Sequence, residues 1–325
     1  MKHIVPVTRK SQGAVLPTRL FATAAVLFAL AALAACGDSR PTGPTPLPPL
    51  PEFDGRFTFV DTMVVDRRER TALVALPASY DHETRIPVLF GYHGGGGSAA
   101  QMQAQTRLDS IADEFGFALV YVDAYDGFWV TPCPECDNEG RDPMEEIDYA
   151  YDLIRSLSRS HALDPDRVYA TGFSMGGFFL NNVGCLPDLP FQGIAPVAAG
   201  ARRTMPGTCL STLSRRRLPV LITNGMVDLS VPPEGGDDWL GVDELTAWWR
   251  QWNGCDETSS AELEPELAGE SAPQIVRTEW SRCGDGTKVQ VQKVERIGHW
   301  WLTEDNNPSR VDYGRTIVSF FGLDR

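Results

Sequence analysis

The chain has 325 residues, 42% hydrophobic and 10% aromatic, which suits one large domain with its own core rather than a disordered polymer. Its 29 Lys and Arg stand against 43 Asp and Glu, a formal charge of −14 that argues against nucleic acid or anionic lipid as a partner. A solvated acidic surface accounts for that balance, and no internal repeat is visible.

Arg9, Lys10 and Arg19 precede an apolar run from Leu20 to Ala35, which ends in Leu33-Ala34-Ala35-Cys36. A basic segment, an apolar stretch short for a membrane span and small residues at its end predict a secretion signal over 1–35. A Cys directly after Leu-Ala-Ala resembles the bacterial lipobox. That resemblance implies a lipidated Cys36 and an exported bacterial lipoprotein, periplasmic or at the cell surface, anchored to a membrane. A plain transmembrane anchor and an ordinary signal peptide are the alternatives. Residues 36–52 then form a linker. Six of the eleven residues from Pro41 to Pro51 are proline, a polyproline II spacer about 30 Å long at roughly 3 Å per residue.

From there the pattern describes one domain over 53–325. Residues 56–76 alternate around a charged Asp66-Arg67-Arg68-Glu69-Arg70 turn and predict an antiparallel hairpin. Residues 87–92 read as a buried strand ending at His93 and four glycines. Residues 108–115 have helical spacing, 118–122 read as a second buried strand, and 144–158 as an amphipathic helix. A strand over 167–171 leads to Gly172-Phe173-Ser174-Met175-Gly176, followed by a helix over 175–185. Further strands fall at 193–197, 219–223 and 289–294, and further helices at 242–252 and 310–321. Strands alternating with helices imply an α/β fold, a largely parallel sheet with helices on both faces.

Seven cysteines minus Cys36 leave six, and an even count in an exported chain predicts three disulfides. Of fifteen connectivities, the pairing expected is Cys255–Cys283, Cys185–Cys209 and Cys133–Cys136. The acidic neighbours of Cys133-Pro134-Glu135-Cys136 would raise a thiol pKa, which speaks against a redox motif. A zinc site of four cysteines is the weaker alternative.

A G-x-S-x-G between a strand and a helix is the nucleophile elbow of α/β-hydrolases. The turn is too sharp for β carbons at its flanks, hence Gly172 and Gly176. It lifts the Ser174 hydroxyl to a helix N-terminus, where the dipole favours developing negative charge. A serine needs a base, and the base needs an orienting acid, in chain order Ser, acid, His. Of five histidines only His299 follows Ser174, so elimination selects it. Asp228 follows the strand 219–223, whereas Asp237, Asp238, Asp243 and Asp256 lie in loops or at a helix start. The oxyanion donors expected are the backbone N–H groups of Met175 and Gly95, the latter in the glycine run after His93. His93 supports that loop rather than reacting. A phosphate loop is the competing reading, but no Gly-Lys-Ser/Thr follows.

These residues resemble the polyhydroxybutyrate depolymerase and feruloyl esterase group of carbohydrate esterase family one. The matching segments are 67–77, His93-Gly94, 164–177, 194–200, 219–236, Asn253-Gly254-Cys255 and Gly298-His299. The resemblance implies an α/β-hydrolase fold, a Ser174–Asp228–His299 triad, and a short acyl or aromatic ester as substrate, such as a feruloylated sugar or a hydroxyalkanoate oligomer. The chain departs from the group's His-Gly-Cys at Gly95 and from its Trp-Pro-Gly at Trp301-Leu302-Thr303. Among the tryptophans, Trp129, Trp300 and Trp301 are expected to offer an aromatic platform, while Trp248 and Trp249 read as packing. The expected activity is an extracytoplasmic serine esterase, monomeric, without metal or organic cofactor. A peptidase of the same fold and a non-catalytic surface-binding lipoprotein are the alternatives.

Overall fold

Strands with apolar side chains on both faces need cover on both faces, and that requirement organises the computed structural model. It describes residues 57–65, 67–132, 141–212, 215–257, 260–263, 274–307 and 310–325. The expected signal, the Cys36 lipidation site, the proline-rich linker and the Cys133–Cys136 bridge lie outside the described residues.

The chain runs β1 (Phe57–Val65), β2 (Arg68–Leu76), β3 (Ile86–Tyr92), α1 (Ala99–Thr106), α2 (Leu108–Phe115), β4 (Ala118–Val122), α3 (Glu145–Ser160), β5 (Leu163–Phe173) and α4 (Met175–Val183). It continues through β6 (Ile194–Val197), β7 (Ala201–Arg202), α5 (Met205–Leu210), β8 (Val220–Gly225), β9 (Trp239–Leu240) and α6 (Val242–Asn253). Strands β10 (Ser260–Leu263), β11 (Ile275–Trp280) and β12 (Val289–Val294) precede the terminal helix α7 (Tyr313–Phe321).

Among the described residues ten strands form one sheet in the order β1-β2-β4-β3-β5-β6-β8-β12-β11-β10, and β7 pairs with β9 separately. The run from β4 to β12 is parallel, and antiparallel pairs close both edges. Alternation along β3 feeds two cores. Val88, Phe90 and Tyr92 pack with Leu153, Phe179 and Trp249 on one face. Leu89 packs with Met102, Ile111 and Ile317 on the other. After β3 the chain steps to β4 and then returns to β5 on β3's opposite side. The strand order therefore reverses at β3, and such a switch point opens a crevice at the carboxyl ends of the strands.

Two sequence expectations need correction. The hairpin ladder runs up to the pair Val65 and Arg68, and Arg68, Glu69 and Arg70 belong to β2. Arg70 shares the buried face of Ala72, Val74 and Leu76, where it pairs with Glu146 at 2.6 Å. The loop closed by the Cys255–Cys283 bridge contains β10 and β11. The terminal helix starts at Tyr313 rather than 310, because the Asp312 side chain accepts from the Arg315 N–H and caps it. The bridges Cys185–Cys209 and Cys255–Cys283 both form as expected. Among the described residues no helix is long and apolar enough to cross a membrane.

Candidate active site

Between the last residue of β5 and the first of α4 stands a single residue, Ser174. It adopts φ 53° and ψ −118°, a backbone conformation that costs a non-glycine residue on the order of 1–3 kcal/mol. The surroundings hold it there. The Ser174 N–H donates to the Val197 carbonyl at 2.9 Å, and the Ser174 carbonyl accepts from the Phe178 N–H at 2.9 Å. The flanking glycines leave no space for side chains. A β carbon on Gly172 would lie 2.5 Å from the Gly176 backbone. The elbow sterics expected from the motif are therefore present. The serine side chain is half-buried at the start of α4.

The second contributor comes from the end of β8. Asp228 is buried, and its Oδ1 accepts from the Ser230 and Val231 N–H groups, each at 2.8 Å. Its Oδ2 faces His299 Nδ1 at 2.7 Å. A carboxylate so engaged orients the imidazole with the proton on Nδ1 and leaves Nε2 as the basic nitrogen. The loop carrying His299 is seated on β8. The Val227 N–H donates to the Ile297 carbonyl at 3.1 Å, and a β carbon on Gly225 would stand 2.2 Å from that same oxygen. The His299 ring packs on Phe173, the neighbour of Ser174, with centroids 4.9 Å apart.

The third contributor is the glycine loop after β3, which lies beside β5 in the sheet, with Tyr92 opposite Gly172. His93 governs its geometry. Its Nδ1 lies 2.7 Å from the Gly94 carbonyl and its Nε2 accepts from the Ala124 N–H at 3.1 Å. The Nδ1 must therefore carry the proton and donate it to Gly94. Burial holds the imidazole below its ordinary pKa, favouring this neutral form. The Gly97 N–H donates to the same Gly94 carbonyl at 3.0 Å. In a planar trans peptide the N–H points opposite the carbonyl, so pinning the Gly94 oxygen aims the Gly95 N–H the other way. A β carbon on Gly95 would lie 3.2 Å from the Met175 Sδ, so the two candidate donors are neighbours. Neither the Gly95 nor the Met175 N–H meets an acceptor among the described residues.

The tryptophan expectation divides. Trp300 is 66% exposed and follows His299 directly. Trp129 and Trp301 are only 3% and 1% exposed, and this corrects their place in an open platform. Trp129 turns inward because its Nε1 donates to the His93 carbonyl at 2.7 Å and its ring packs on Tyr92 and Phe179. Trp301 packs edge-on against Tyr313 in the core below. The aromatic of the Trp129 loop that faces outward is Phe128, one residue before Trp129 and 48% exposed. Its ring lies 3.7 Å from where a Gly95 β carbon would stand. An aromatic in the loop after a strand of the crevice edge is the signal that could have found it. Among the described residues no group of three or more His, Cys, Asp or Glu is arranged to hold a metal ion.

The elbow and the glycine loop fall within a match to known proteins. Residues 72–184, from β2 through the elbow to the end of α4, match the family model described as Esterase PHB depolymerase. Over those residues the chain is similar to that esterase family. NocK of Nocardia uniformis subsp. tsuyamanensis, which its name places among esterases, is 27% identical over 85% of this chain and 88% of its own length. Feruloyl esterase B of Thermothelomyces thermophilus is 28% identical over 67% of this chain and 79% of its own. The solved acetyl xylan esterase of Aspergillus awamori superposes with a TM-score of 0.56 at 15% identity, covering 82% of this chain and 99% of that one. At that identity the likeness speaks for the α/β-hydrolase fold. Family and relatives together make the chain a carboxylic ester hydrolase.

Proposed function

We propose that the chain is an extracytoplasmic serine esterase working through an acyl-enzyme. Ser174 attacks the ester carbonyl while His299 Nε2 takes its proton and Asp228 steadies the imidazolium. The Gly95 and Met175 N–H groups hold the oxyanion, which is worth roughly 3–4 kcal/mol for each donor. His299 then returns the proton to the departing alcohol and activates water to release the acid. The observation that carries this reading is the 2.7 Å contact of His299 with a buried Asp228, on an imidazole packed against the elbow residue Phe173. The substrate class follows the relatives' names: esters of aromatic or short acids on sugars, or hydroxyalkanoate oligomers. Two disulfides support an oxidising compartment, and lipidation at Cys36 would tether a monomeric domain to a membrane.

The test compares wild type with Ser174→Ala on p-nitrophenyl acetate and butyrate, methyl ferulate, hydroxybutyrate oligomers and a peptide anilide, with a fluorophosphonate label. Wild type is labelled and cleaves esters, and the variant loses about 10⁶ in kcat. Full ester turnover in Ser174→Ala defeats the proposal, and preferential cleavage of the anilide moves it to a peptidase.

A further inference from the structure

The site has a direction for each part of an ester, and one of them ends on a residue with no role so far. A trigonal ester carbon carries three substituents. On the proposed catalytic reading, which this inference rests on, the carbonyl oxygen points at the Gly95 and Met175 N–H groups. The alkoxy oxygen must face His299, because it collects its proton there as the C–O bond breaks. The alcohol half therefore lies on the His299 side, next to exposed Trp300. The acyl half takes the side away from His299, past Met175 and the glycine loop whose main-chain N–H groups hold the oxygen.

The two residues flanking Ser174 mark these sides. Phe173 carries the His299 ring at 4.9 Å. Met175 carries the glycine loop, its Sδ 3.2 Å from the β position of Gly95, and Phe128 stands over that same position at 3.7 Å. Phe128 is half-exposed yet held by its backbone. The Gly96 N–H donates to the Gly127 carbonyl at 2.8 Å, and Arg141 Nη1 donates to the Tyr125 and Phe128 carbonyls at 3.2 and 3.0 Å. An exposed aromatic ring on a clamped loop is a preorganised flat contact surface.

We propose that Phe128 is the acyl-selecting wall of this site and that it favours acids with a flat, conjugated body over short alkyl acids. Trp300 serves the alcohol side only. The two assignments separate in time, since the alcohol has left before deacylation begins.

Stopped-flow kinetics of the full chain on p-nitrophenyl acetate and p-nitrophenyl cinnamate resolve a burst (acylation) from the following steady state (deacylation). Phe128→Ala lowers the cinnamoyl-to-acetyl ratio of both steps about tenfold. Phe128→Leu, which keeps bulk without a ring, restores acetyl turnover but not the ratio. Trp300→Ala shifts acylation across a series of cinnamate esters with different alcohols and leaves cinnamoyl-enzyme deacylation within twofold. A ratio unmoved in both Phe128 variants, or deacylation slowed equally by Trp300→Ala, overturns the assignment. Ser174→Ala run alongside separates the failures. If it still turns over esters, the catalytic reading falls and this one with it. If it is inactive and the Phe128 ratios stay flat, only the wall is wrong.

Discussion

Gly176 lies flush against the backbone of Tyr92, so that a β carbon there would meet the Tyr92 carbonyl oxygen at 2.3 Å and its carbon at 2.6 Å. The obstacle is main chain of the central strand β3, which has no rotamer to escape into. Gly176→Ala must therefore push α4 off the sheet and move Ser174 with it. Overpacking usually costs about 1–3 kcal/mol, and a backbone obstacle puts this variant at the upper end or above. Thermal melting will show a fall of several degrees and ester turnover will collapse. Gly207→Ala is the control. Nothing lies within 4 Å of its β position in α5, and alanine there should leave the melt unchanged or raise it.

Asp228 holds three donors with two oxygens, and this fixes what an isosteric change does. In Asp228→Asn the amide oxygen can still accept from Ser230 and Val231, so the loop keeps its shape. The amide nitrogen then faces His299 Nδ1 and donates to it. That moves the ring proton to Nε2 and removes the base from the serine. A loss of about 10⁴ in kcat is expected from the wrong tautomer alone, with an unchanged melting temperature and fluorophosphonate labelling slowed in parallel. A variant that retains more than a tenth of wild-type kcat would contradict the orienting role.

Acid should weaken the fold through His161, remote from the site. Its ring stacks on Phe59 at 5.1 Å and on His82 at 6.3 Å, its Nδ1 meets Ser160 Oγ at 2.9 Å, and Asp61 lies near enough to favour its charge. Burial, then the neighbouring His82, holds its pKa below the ordinary 6.5, outweighing Asp61. His93 is shifted the same way by burial. With the folded pKa below the unfolded one, the unfolded chain binds more protons as pH falls through 6.5. Stability is therefore flat above that point and declines below it, down to the folded pKa. Urea midpoints measured from pH 8 to pH 5 should fall only on the acidic side. His161→Phe, which keeps the stack and loses the proton, should flatten part of the slope.

The parallel sheet was legible because its strands are apolar on both faces. The stretch 118–122 is predicted and found as the same strand, and all five of its apolar residues are buried. The elbow was legible because glycines at two fixed positions answer a steric demand. Chain order alone picked out His299, the histidine that stands against Asp228. What escaped the sequence depended on the path of the chain in space. Phe128 and Trp129 are adjacent aromatics in one loop, and which of them faces the crevice is decided by the hydrogen bond from Trp129 to the His93 carbonyl. Helix α1 (AAQMQAQT) has no apolar stripe, and it forms behind the Ser98 side chain, which accepts from the Gln101 N–H. Strand β11 (IVRTEW) is polar and lies in the antiparallel edge, where one face need not be covered.

A charge cluster that reads as a turn supplies the remaining prediction. Arg70 and Glu146 are both buried, 2.6 Å apart, with the guanidinium 4.4 Å over the Tyr149 ring and an Nη2 hydrogen bond to the Asp123 carbonyl at 2.9 Å. Burial nevertheless pushes the Glu146 carboxyl above its ordinary pKa, so Arg70 offsets only part of the desolvation. Breaking such a pair from one side leaves the other charge stranded. Glu146→Leu or Arg70→Met alone should therefore destabilise by about 3–5 kcal/mol, whereas the double variant Arg70→Met with Glu146→Leu should recover most of that loss or all of it. Chemical denaturation of the four proteins closes the cycle. Additive losses would mean that the ion pair is not coupled. Because Arg70 also holds the carbonyl of Asp123, whose carboxylate accepts from the Ala99 N–H just past the glycine loop, the cycle should be repeated on kcat. A double variant that regains stability but not kcat would show that this cation, buried two strands away, keeps the loop of Gly95 in place.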